Sequence, residues 1–259
     1  MARVFLEKKM SNPEFLREKD LQLPPELSSL CGGYSNVRFF PDSSPVDEHI
    51  NGNQIAACQL ITGILEEEQG VMFGVFGPMG SGKSSVACLL SRELPSVAFF
   101  KHKLDVGRFG PGIQSQGGLN IEGAEIYSTL EELETQVRQT DARVLVVEEF
   151  QFSGETNEER SEIEELIERR RKEGKSVIFT GLDFDFRREP WSNIDNLIDL
   201  VDTSIVLAAR CAECGGLAPF TMRQIDGQPA HFDDPVVMVG SVKDVYFPAC
   251  PSCHKFRRR

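Results

Sequence analysis

Residues 71–85, VMFGVFGPMGSGKSS, decide how the rest of the chain is interpreted. The pattern G-x-x-x-x-G-K-[ST] occupies residues 77–84, directly after an apolar run and before a stretch with helical character. Glycines let such a loop curl so that backbone N–H groups point at phosphate oxygens, and the following helix adds its positive N-terminal end. Lys83 is then expected to reach the β- and γ-phosphates of a nucleotide, and the Ser84 hydroxyl to ligate magnesium. The residues of this phosphate loop are Gly77, Pro78, Met79, Gly80, Ser81, Gly82, Lys83, Ser84 and Ser85.

The composition indicates a soluble nucleotide-binding domain with a smaller appendage. Of the 259 residues 40% are apolar, and 40 acidic against 28 basic residues give a formal charge of −12. That charge repels a nucleic-acid backbone unless basic residues gather on one face, and the dense basic run is the terminal KFRRR at 255–259. No run reaches the length of a membrane span, and the first twenty residues lack the apolar core of a signal peptide. We therefore expect a cytoplasmic protein that binds neither nucleic acid nor membrane.

The segment before the phosphate loop has two parts. Prolines interrupt residues 1–50, which we expect to have little regular structure apart from a short helix around Pro13–Lys19. From Gly52 an apolar stripe at helical spacing continues to Leu65, which predicts a helix packed on the edge of the core. We assign residues 1–69 to an N-terminal extension of unknown role.

After the phosphate loop, apolar runs alternate with helical patterns, as parallel strands covered on both faces do. The predicted strands are at 96–100, 143–147, 176–180 and 203–209.

Between these strands, the glycine-rich residues 101–121 predict a long loop of the kind that carries function. Ser128 and Glu131 have capping-box spacing at the start of the next predicted helix. The charged residues 155–173 predict a solvated outer helix with a thin apolar side.

Two adjacent glutamates, Glu148 and Glu149, follow the apolar run at 143–147. Ligands of open α/β sheets bind at the carboxyl ends of the strands, and in phosphate-loop proteins an acidic residue there lies beside the γ-phosphate and the metal. Because neighbouring side chains on a strand point to opposite faces, we expect the two carboxylates to have different roles. One would hold the magnesium shell and the other would act as a base. The alternative is a pair of solvated glutamates at the start of a loop.

Two C-x-x-C pairs lie near the C-terminus, on either side of an insert at 215–249. This spacing is typical of a zinc ribbon closed by four thiolates, whereas buried or redox-active cysteines are the alternative. A closed site has no open position for catalysis, so the zinc is expected to fix the insert in place. His254 is a weaker candidate ligand. The expected zinc ligands are Cys211, Cys214, Cys250 and Cys253, and Cys31, Cys58 and Cys88 are expected to be ordinary buried thiols.

Together these features resemble the zinc-containing type II thymidine kinases, from about Gly70 to Phe256. The resemblance implies an α/β fold of the P-loop NTPase (RecA-like) type, a parallel sheet with helices on both faces, followed by a small zinc-ribbon and lasso domain. It implies a kinase domain at 70–209 and a zinc-binding lasso domain at 210–259. The stretches that carry it are GPMGSGKS at 77–84, EEFQF at 148–152, GLDFDFRREPW at 181–191, CAECGGLAPFTMR at 211–223 and DDPVVMVGSVKDVYFPACPSCH at 233–254.

The same resemblance implies transfer of the ATP γ-phosphate to the 5′-hydroxyl of thymidine, commonly by a homotetramer. Glu149 matches the catalytic glutamate that accepts the hydroxyl proton. Arg108, displaced by one position, corresponds to an arginine that balances charge in the transition state. The implied magnesium contacts are Ser84, Asp105 and Glu148, and the implied nucleoside contacts are Met79, Phe220, Thr221, Val239, Gly240 and Tyr246.

The chain also departs from the family pattern. Glu148 replaces the usual aspartate, Phe150 a small residue, Ser153 an aromatic residue and Gln116 a histidine. Two other functions therefore compete with a thymidine kinase. One is a nucleic-acid-dependent ATPase with a zinc ribbon, and the other is a nucleotide-binding homologue that has lost catalysis.

Overall fold

The computed structural model describes residues 37–40, 51–115, 118–153, 157–237 and 244–258, with the backbone alone at 37–40, 108–109, 157–159 and 244. Helices and strands alternate along the first two thirds of this part. The helices are α1 (Gly52–Glu67), α2 (Lys83–Glu93), α3 (Lys103–Phe109), α4 (Leu130–Gln139), α5 (Asn157–Lys172) and α6 (Ser192–Leu200), with a 3-10 turn at Phe150–Phe152. The strands are β1 (Val37–Phe40), β2 (Met72–Phe76), β3 (Val97–His102), β4 (Ile113–Gln114), β5 (Asn120–Ile121), β6 (Glu125–Tyr127), β7 (Val144–Glu148), β8 (Ser176–Gly181), β9 (Thr203–Leu207), β10 (Ala209–Arg210), β11 (Leu217–Ala218), β12 (Phe220–Ile225), β13 (Gln228–Pro229) and β14 (Asp244–Ala249).

Within the described residues, the main sheet has seven strands in the order β1-β9-β2-β8-β7-β3-β6. Every neighbouring pair in it is parallel. Its inner strands β2, β7 and β8 are buried at each residue, which explains their continuous apolar sequence. The predicted α/β fold is confirmed.

Alternation along β7 separates two apolar layers. Leu145 and Val147 pack with residues of α4, α5 and α6 on one face. Val144 and Val146 pack with residues of α1 and α2 on the other face. Both faces of the sheet are therefore covered by helices, and a ligand can reach the sheet at the carboxyl ends of its strands.

The N-terminal segment contributes more to the fold than the sequence indicated. The helix predicted from Gly52 is confirmed as α1, but residues 37–40 were expected to have little regular structure and instead form β1. This strand pairs in parallel with β9, from Val37 opposite Ser204 to Phe40 opposite Leu207. The sequence VRFF includes a charged arginine and lies close to two prolines, so it gave no periodic signal that would predict a strand. The helix expected around Pro13–Lys19 lies outside the described residues.

The glycine-rich segment 101–121 is also more regular than the long loop we expected. It contains the short helix α3 and the β4–β5 hairpin. His102 caps α3, because its Nδ1 accepts a hydrogen bond from the backbone N–H of Leu104 at 3.2 Å. The capping box predicted from Ser128 and Glu131 does not form. Thr129 is the N-cap of α4 instead, because its Oγ1 accepts from the N–H of Glu132, and the Glu132 carboxylate accepts from the N–H of Ser128, one residue before the cap.

The C-terminal part is a small antiparallel module. β12 pairs with β13 and β14, and β10 pairs with β11. The two C-x-x-C pairs follow β10 and β14, whose ends are thereby brought together. Among the described residues, no helix is both long and apolar enough to cross a membrane.

Candidate active site

The phosphate loop connects β2 to α2 at the carboxyl end of the sheet. Gly77 has φ +145°, and a Cβ there would lie 2.2 Å from the carbonyl oxygen of Leu207, so only glycine fits against β9. The Lys83 side chain is buried, and its Nζ donates to the carbonyls of Gly77 and Pro78, each at 2.9 Å. Burial lowers the pKa of Lys83, while three neighbouring carboxylates act in the opposite direction. The ammonium group of Lys83 therefore lies on the concave side of the phosphate loop, bonded to two of the loop's carbonyls.

Two of the predicted magnesium ligands are in direct contact. The Ser84 hydroxyl donates to Glu148 Oε2 at 3.3 Å. The other carboxylate oxygen of Glu148, Oε1, is buried and has no hydrogen-bond partner among the described residues. Burial, and next the charge of Glu149, raise the pKa of Glu148 to about 8. A hydroxyl and a buried carboxylate with an unused oxygen fit a hard divalent cation such as magnesium.

The third predicted magnesium ligand, Asp105, is held by a lysine. Asp105 Oδ2 lies 2.7 Å from Lys101 Nζ, and both side chains are buried. The same ammonium group donates to the carbonyls of Gly110 and Gly112. The Asp105 charge contributes to raising the pKa values of Glu148 and Glu149, which puts it in the same electrostatic site. Lys101 therefore neutralises part of an acidic cluster, and the sequence analysis gave it no role.

Glu149 departs from the expected strand geometry. Its backbone is left-handed, with φ +56° and ψ +42°, so it has left β7 and does not simply point to the face opposite Glu148. Its Oε2 accepts from Gln151 Nε2, and Gln151 Oε1 accepts from the N–H of Leu182 at 3.0 Å. Burial, and next the charge of Asp105, raise the pKa of Glu149. Gln151 is fully buried and orients this carboxylate, a role that no sequence pattern indicated.

Asp183 is a further carboxylate that the sequence analysis did not assign. It is buried, and its Oδ2 has no hydrogen-bond partner among the described residues. Its Oδ1 accepts from the N–H of Phe184 at 3.0 Å. Burial raises the pKa of Asp183 to about 7, and the charge of Lys83 lowers it. Its position two residues after the end of β8 is the sequence signal that could have identified it, because ligands bind at the carboxyl ends of such strands.

An apolar pocket opens beside the phosphate loop and Asp105. Of the predicted nucleoside contacts, Met79, Thr221 and Tyr246 line it. Thr221 also contacts the phosphate loop, because its Oγ1 accepts from the N–H of Met79 at 2.9 Å. The lining also includes residues to which no role was assigned from the sequence, among them Phe152, Leu182, Phe186 and Trp191.

The remaining predicted contacts have other positions. Phe220 does not line this pocket; it is buried, with its ring edge-on to Phe184 at 5.4 Å and the Arg188 guanidinium 4.7 Å above it. An apolar side chain on a strand such as β12 can face either the core or a ligand. The sequence alone does not distinguish these two orientations. Val239, Gly240 and the side chain of Arg108 lie outside the described residues.

The four predicted zinc ligands form a compact cluster. The Sγ atoms of Cys211, Cys214, Cys250 and Cys253 all lie within 4.8 Å of one another. Four thiolates at about 2.3 Å from a tetrahedral zinc ion are about 3.8 Å apart, so the cluster fits that metal. His254 is not a member, since its Nε2 lies 3.1 Å from the carbonyl oxygen of Thr221 on β12.

Arg188 connects the cysteine cluster to the pocket. Its backbone is left-handed, with φ +66°, and its Nη2 donates to the carbonyl of Pro251 at 2.7 Å, between Cys250 and Cys253. Arg188 follows closely on Phe186, which lines the pocket. The second cysteine pair is therefore attached to two segments. Arg188 links it to the segment between β8 and α6, and His254 links it to β12, the strand that carries Thr221.

Comparison with known families gives one match that covers well over half of the chain: a family model described as thymidine kinase matches residues 70–254. Solved structures resemble parts of the chain at low similarity, and TM-scores this low carry no argument about function. They are a DNA replication initiation factor (11% identity, TM-score 0.37, covering 61% of this chain and 47% of that chain), the Pif1 helicase from Candida albicans (15%, 0.36, 61% and 39%) and domain III of the Thermotoga maritima replication initiation protein DnaA (10%, 0.36, 65% and 69%). The chain thus spans about half of the length of the first of these structures.

Proposed function

Since the chain belongs to the thymidine kinase family, we propose that it transfers the γ-phosphate of ATP to the 5′-hydroxyl of thymidine. One observation carries this proposal: the phosphate loop and the apolar pocket are adjacent. Met79 of the loop and Asp105 both line the pocket, and Asp105 and Lys83 each lie close enough to Glu149 to affect its pKa. A nucleoside in the pocket would present its sugar to the γ-phosphate of a nucleotide on the loop. That arrangement suits phosphoryl transfer between two small molecules.

The side chains supply the steps of the transfer. Glu149 accepts the proton of the 5′-hydroxyl as that oxygen bonds to the γ-phosphorus, and the bond to the β-phosphate oxygen breaks to leave ADP. Gln151 keeps the Glu149 carboxylate in place. Lys83 exchanges its two loop carbonyls for phosphate oxygens. Ser84 and Glu148, with Asp105 nearby, would hold magnesium, which would supply positive charge to the transferred phosphate.

The cysteine cluster holds zinc in a structural role in this proposal, because four thiolates leave no coordination position for a substrate. The module at 210–259 is the lasso domain that covers the nucleoside, and the nucleotide-binding domain precedes it. The product feeds the synthesis of DNA precursors by salvage. From the family we also propose a homotetramer, which sedimentation of the full chain tests.

A panel of nucleosides incubated with ATP and magnesium tests the reaction, with the nucleoside monophosphate detected directly. We expect thymidine to be phosphorylated, and Lys83→Ala to keep its fold but retain less than about a tenth of the turnover, since the loop lysine acts on the transferred phosphate. ATP hydrolysis stimulated by DNA, with no nucleoside monophosphate, would overturn the proposal in favour of a nucleic-acid-dependent ATPase. Tight nucleotide binding without any product would overturn it in favour of a homologue that has lost catalysis.

A further inference from the structure

Gln54, in the first turn of α1, lies directly on the phosphate loop. A Cβ built on Gly82 would be 1.9 Å from Gln54 Nε2, 2.5 Å from its Cδ and 2.8 Å from its Cγ. The side chain of Gln54 thus occupies the space that any other residue at position 82 would need. Gly82 has φ +93° and is the N-cap of α2, with no side-chain hydrogen bond of its own. The contact is therefore made at the point where the loop becomes the helix that carries Lys83 and Ser84.

Hydrogen bonds with Asn51 fix both the backbone and the side chain of Gln54. Its Oε1 accepts from the N–H of Asn51 at 3.1 Å, while Asn51 Oδ1 accepts from the N–H groups of Asn53 and Gln54. This reciprocal pattern is a capping box, which holds the glutamine in one orientation. Gln54 is 6% exposed.

The rest of α1 attaches this first turn to α2. Ala57, Cys58 and Ile61 of α1 are buried in the same apolar layer as Val86 and Leu90 of α2. Interiors packed in this way deform little, so a displacement of Gln54 is transmitted to Gly82.

We propose that Gln54 is a positioning residue for ATP, which holds Gly82 and the following backbone N–H groups in the conformation that binds phosphate. The inference rests on the proposed function and extends it to a segment outside residues 70–254, the part of the chain that matches the family. A loop that is held before the ligand arrives loses less conformational freedom on binding. Losing this contact weakens nucleotide binding and leaves the thymidine pocket unchanged.

Two substitutions separate this role from the capping of α1. Gln54→Glu keeps the oxygen that accepts from Asn51, and glutamate is a normal third helical residue of a capping box, so α1 stays formed. It replaces the carboxamide nitrogen against Gly82 with a charged oxygen, which repels the phosphates of the ligand. Gln54→Ala removes both the cap and the contact. Gln59→Ala is the matched control, since Gln59 is an exposed residue of the same helix.

The experiment measures the Kd of Mg–ADP and of thymidine by titration calorimetry, and Tm without ligand, for the wild type and the three variants. We expect Gln54→Glu and Gln54→Ala to raise the Kd of ADP about tenfold, which corresponds to about 1.4 kcal/mol. The Kd of thymidine should change by less than about twofold, and Gln59→Ala should match the wild type. Gln54→Glu should keep the wild-type Tm, whereas Gln54→Ala lowers it.

An unchanged Kd of ADP in Gln54→Glu would overturn the inference and leave Gln54 with the capping role alone. A parallel loss of thymidine and ADP affinity would also overturn it, since that result indicates general disruption. The wild-type titrations separate this from the proposed function: if the wild type binds neither ligand, the proposed function fails. If it binds both and the variants behave like the control, only the role of Gln54 fails.

Discussion

Glu148 and Glu149 are adjacent in sequence but have different partners. Glu148 contacts Ser84 at the start of α2, whereas Glu149 contacts Gln151 and has left-handed backbone angles. The change of backbone direction between them, rather than the alternation of a strand, gives each carboxylate its own surroundings. Their roles can therefore be tested separately.

We predict that Glu149→Gln lowers kcat by about 10²–10⁴-fold, because a positioned carboxylate that takes the hydroxyl proton contributes about that much. ATP and thymidine should still bind, and added magnesium should not restore the rate. Glu148→Gln should instead raise the magnesium requirement and recover part of its activity at high magnesium. Plots of kcat against magnesium concentration for both variants check this. If Glu148→Gln is inactive at all concentrations and Glu149→Gln is rescued, the two roles are reversed.

The buried Glu148 carboxyl also predicts a dependence of stability on pH. Its pKa is about 8 in the fold against an ordinary value of 4.5, so folding favours the protonated form. This stabilisation is complete below about pH 4.5 and is lost as the pH rises through about 8. Glu148→Gln removes the titrating group, so in magnesium-free buffer its Tm should exceed that of the wild type by about 5 °C or more at pH 8.5. Melting curves of both proteins at pH 5 and 8.5 check this, and an equal difference at both pH values would contradict it.

At the scale of elements, the cysteine cluster connects segments that are distant in sequence. β12 carries Thr221, which binds the phosphate loop through Met79, and His254 binds the carbonyl of Thr221. Arg188 binds the carbonyl of Pro251 within the second cysteine pair. A metal held by the cluster would therefore stabilise contacts that reach both the phosphate loop and the pocket.

We predict one zinc ion per chain, and its loss in Cys253→Ser, because a structural site needs its four ligands. The affinity for thymidine should fall together with that for ATP, since Thr221 contacts the phosphate loop and lines the pocket. Elemental analysis and ligand titrations measure both effects. Cys88→Ala is the control, since this buried thiol is outside the cluster and should keep its zinc. A disulfide within either pair, without metal, would contradict the prediction.

At the scale of the whole molecule, the edge of the main sheet depends on residues far from the phosphate loop. β1 covers the outer edge of β9, whose other edge pairs with β2. An uncovered edge strand presents free N–H and C=O groups that pair with other chains. In the described sheet β1 therefore replaces β9 as the edge strand, and an edge strand of only four residues, one of them charged, protects the sheet from pairing with other chains.

Deleting residues 1–50 should therefore lower Tm and cause aggregation that increases with protein concentration. Deleting residues 1–35 is the matched control, because it keeps β1. Light scattering during thermal melts compares the two truncations with the full chain. If both truncations behave alike, the protection does not come from β1.

The sequence was sufficient where a feature depends on local spacing. The phosphate loop, the cysteine pairs and the buried strands each follow from a pattern within a few residues, and the structure places them as expected. Asp183 was missed although it closely follows β8, whereas Gln54 and Gln151 were missed for a different reason. Their roles come from contacts across the fold, such as Gln54 with Gly82 and Gln151 with Leu182, and no spacing in the sequence encodes those contacts. Glu149 lies at the end of β7 as predicted, but its left-handed backbone could not be inferred from its residue type.

The two hydrogen bonds from Lys83 to its own loop have a calorimetric consequence. In the structure the ammonium group donates to the carbonyls of Gly77 and Pro78. An arriving phosphate has to replace these bonds, so the lysine contributes the difference between two sets of contacts rather than a full new set. The heat released when a nucleotide binds should accordingly be smaller than the number of contacts in the complex suggests. Selectivity for phosphate would then come from charge and from the shape of the loop more than from the count of hydrogen bonds.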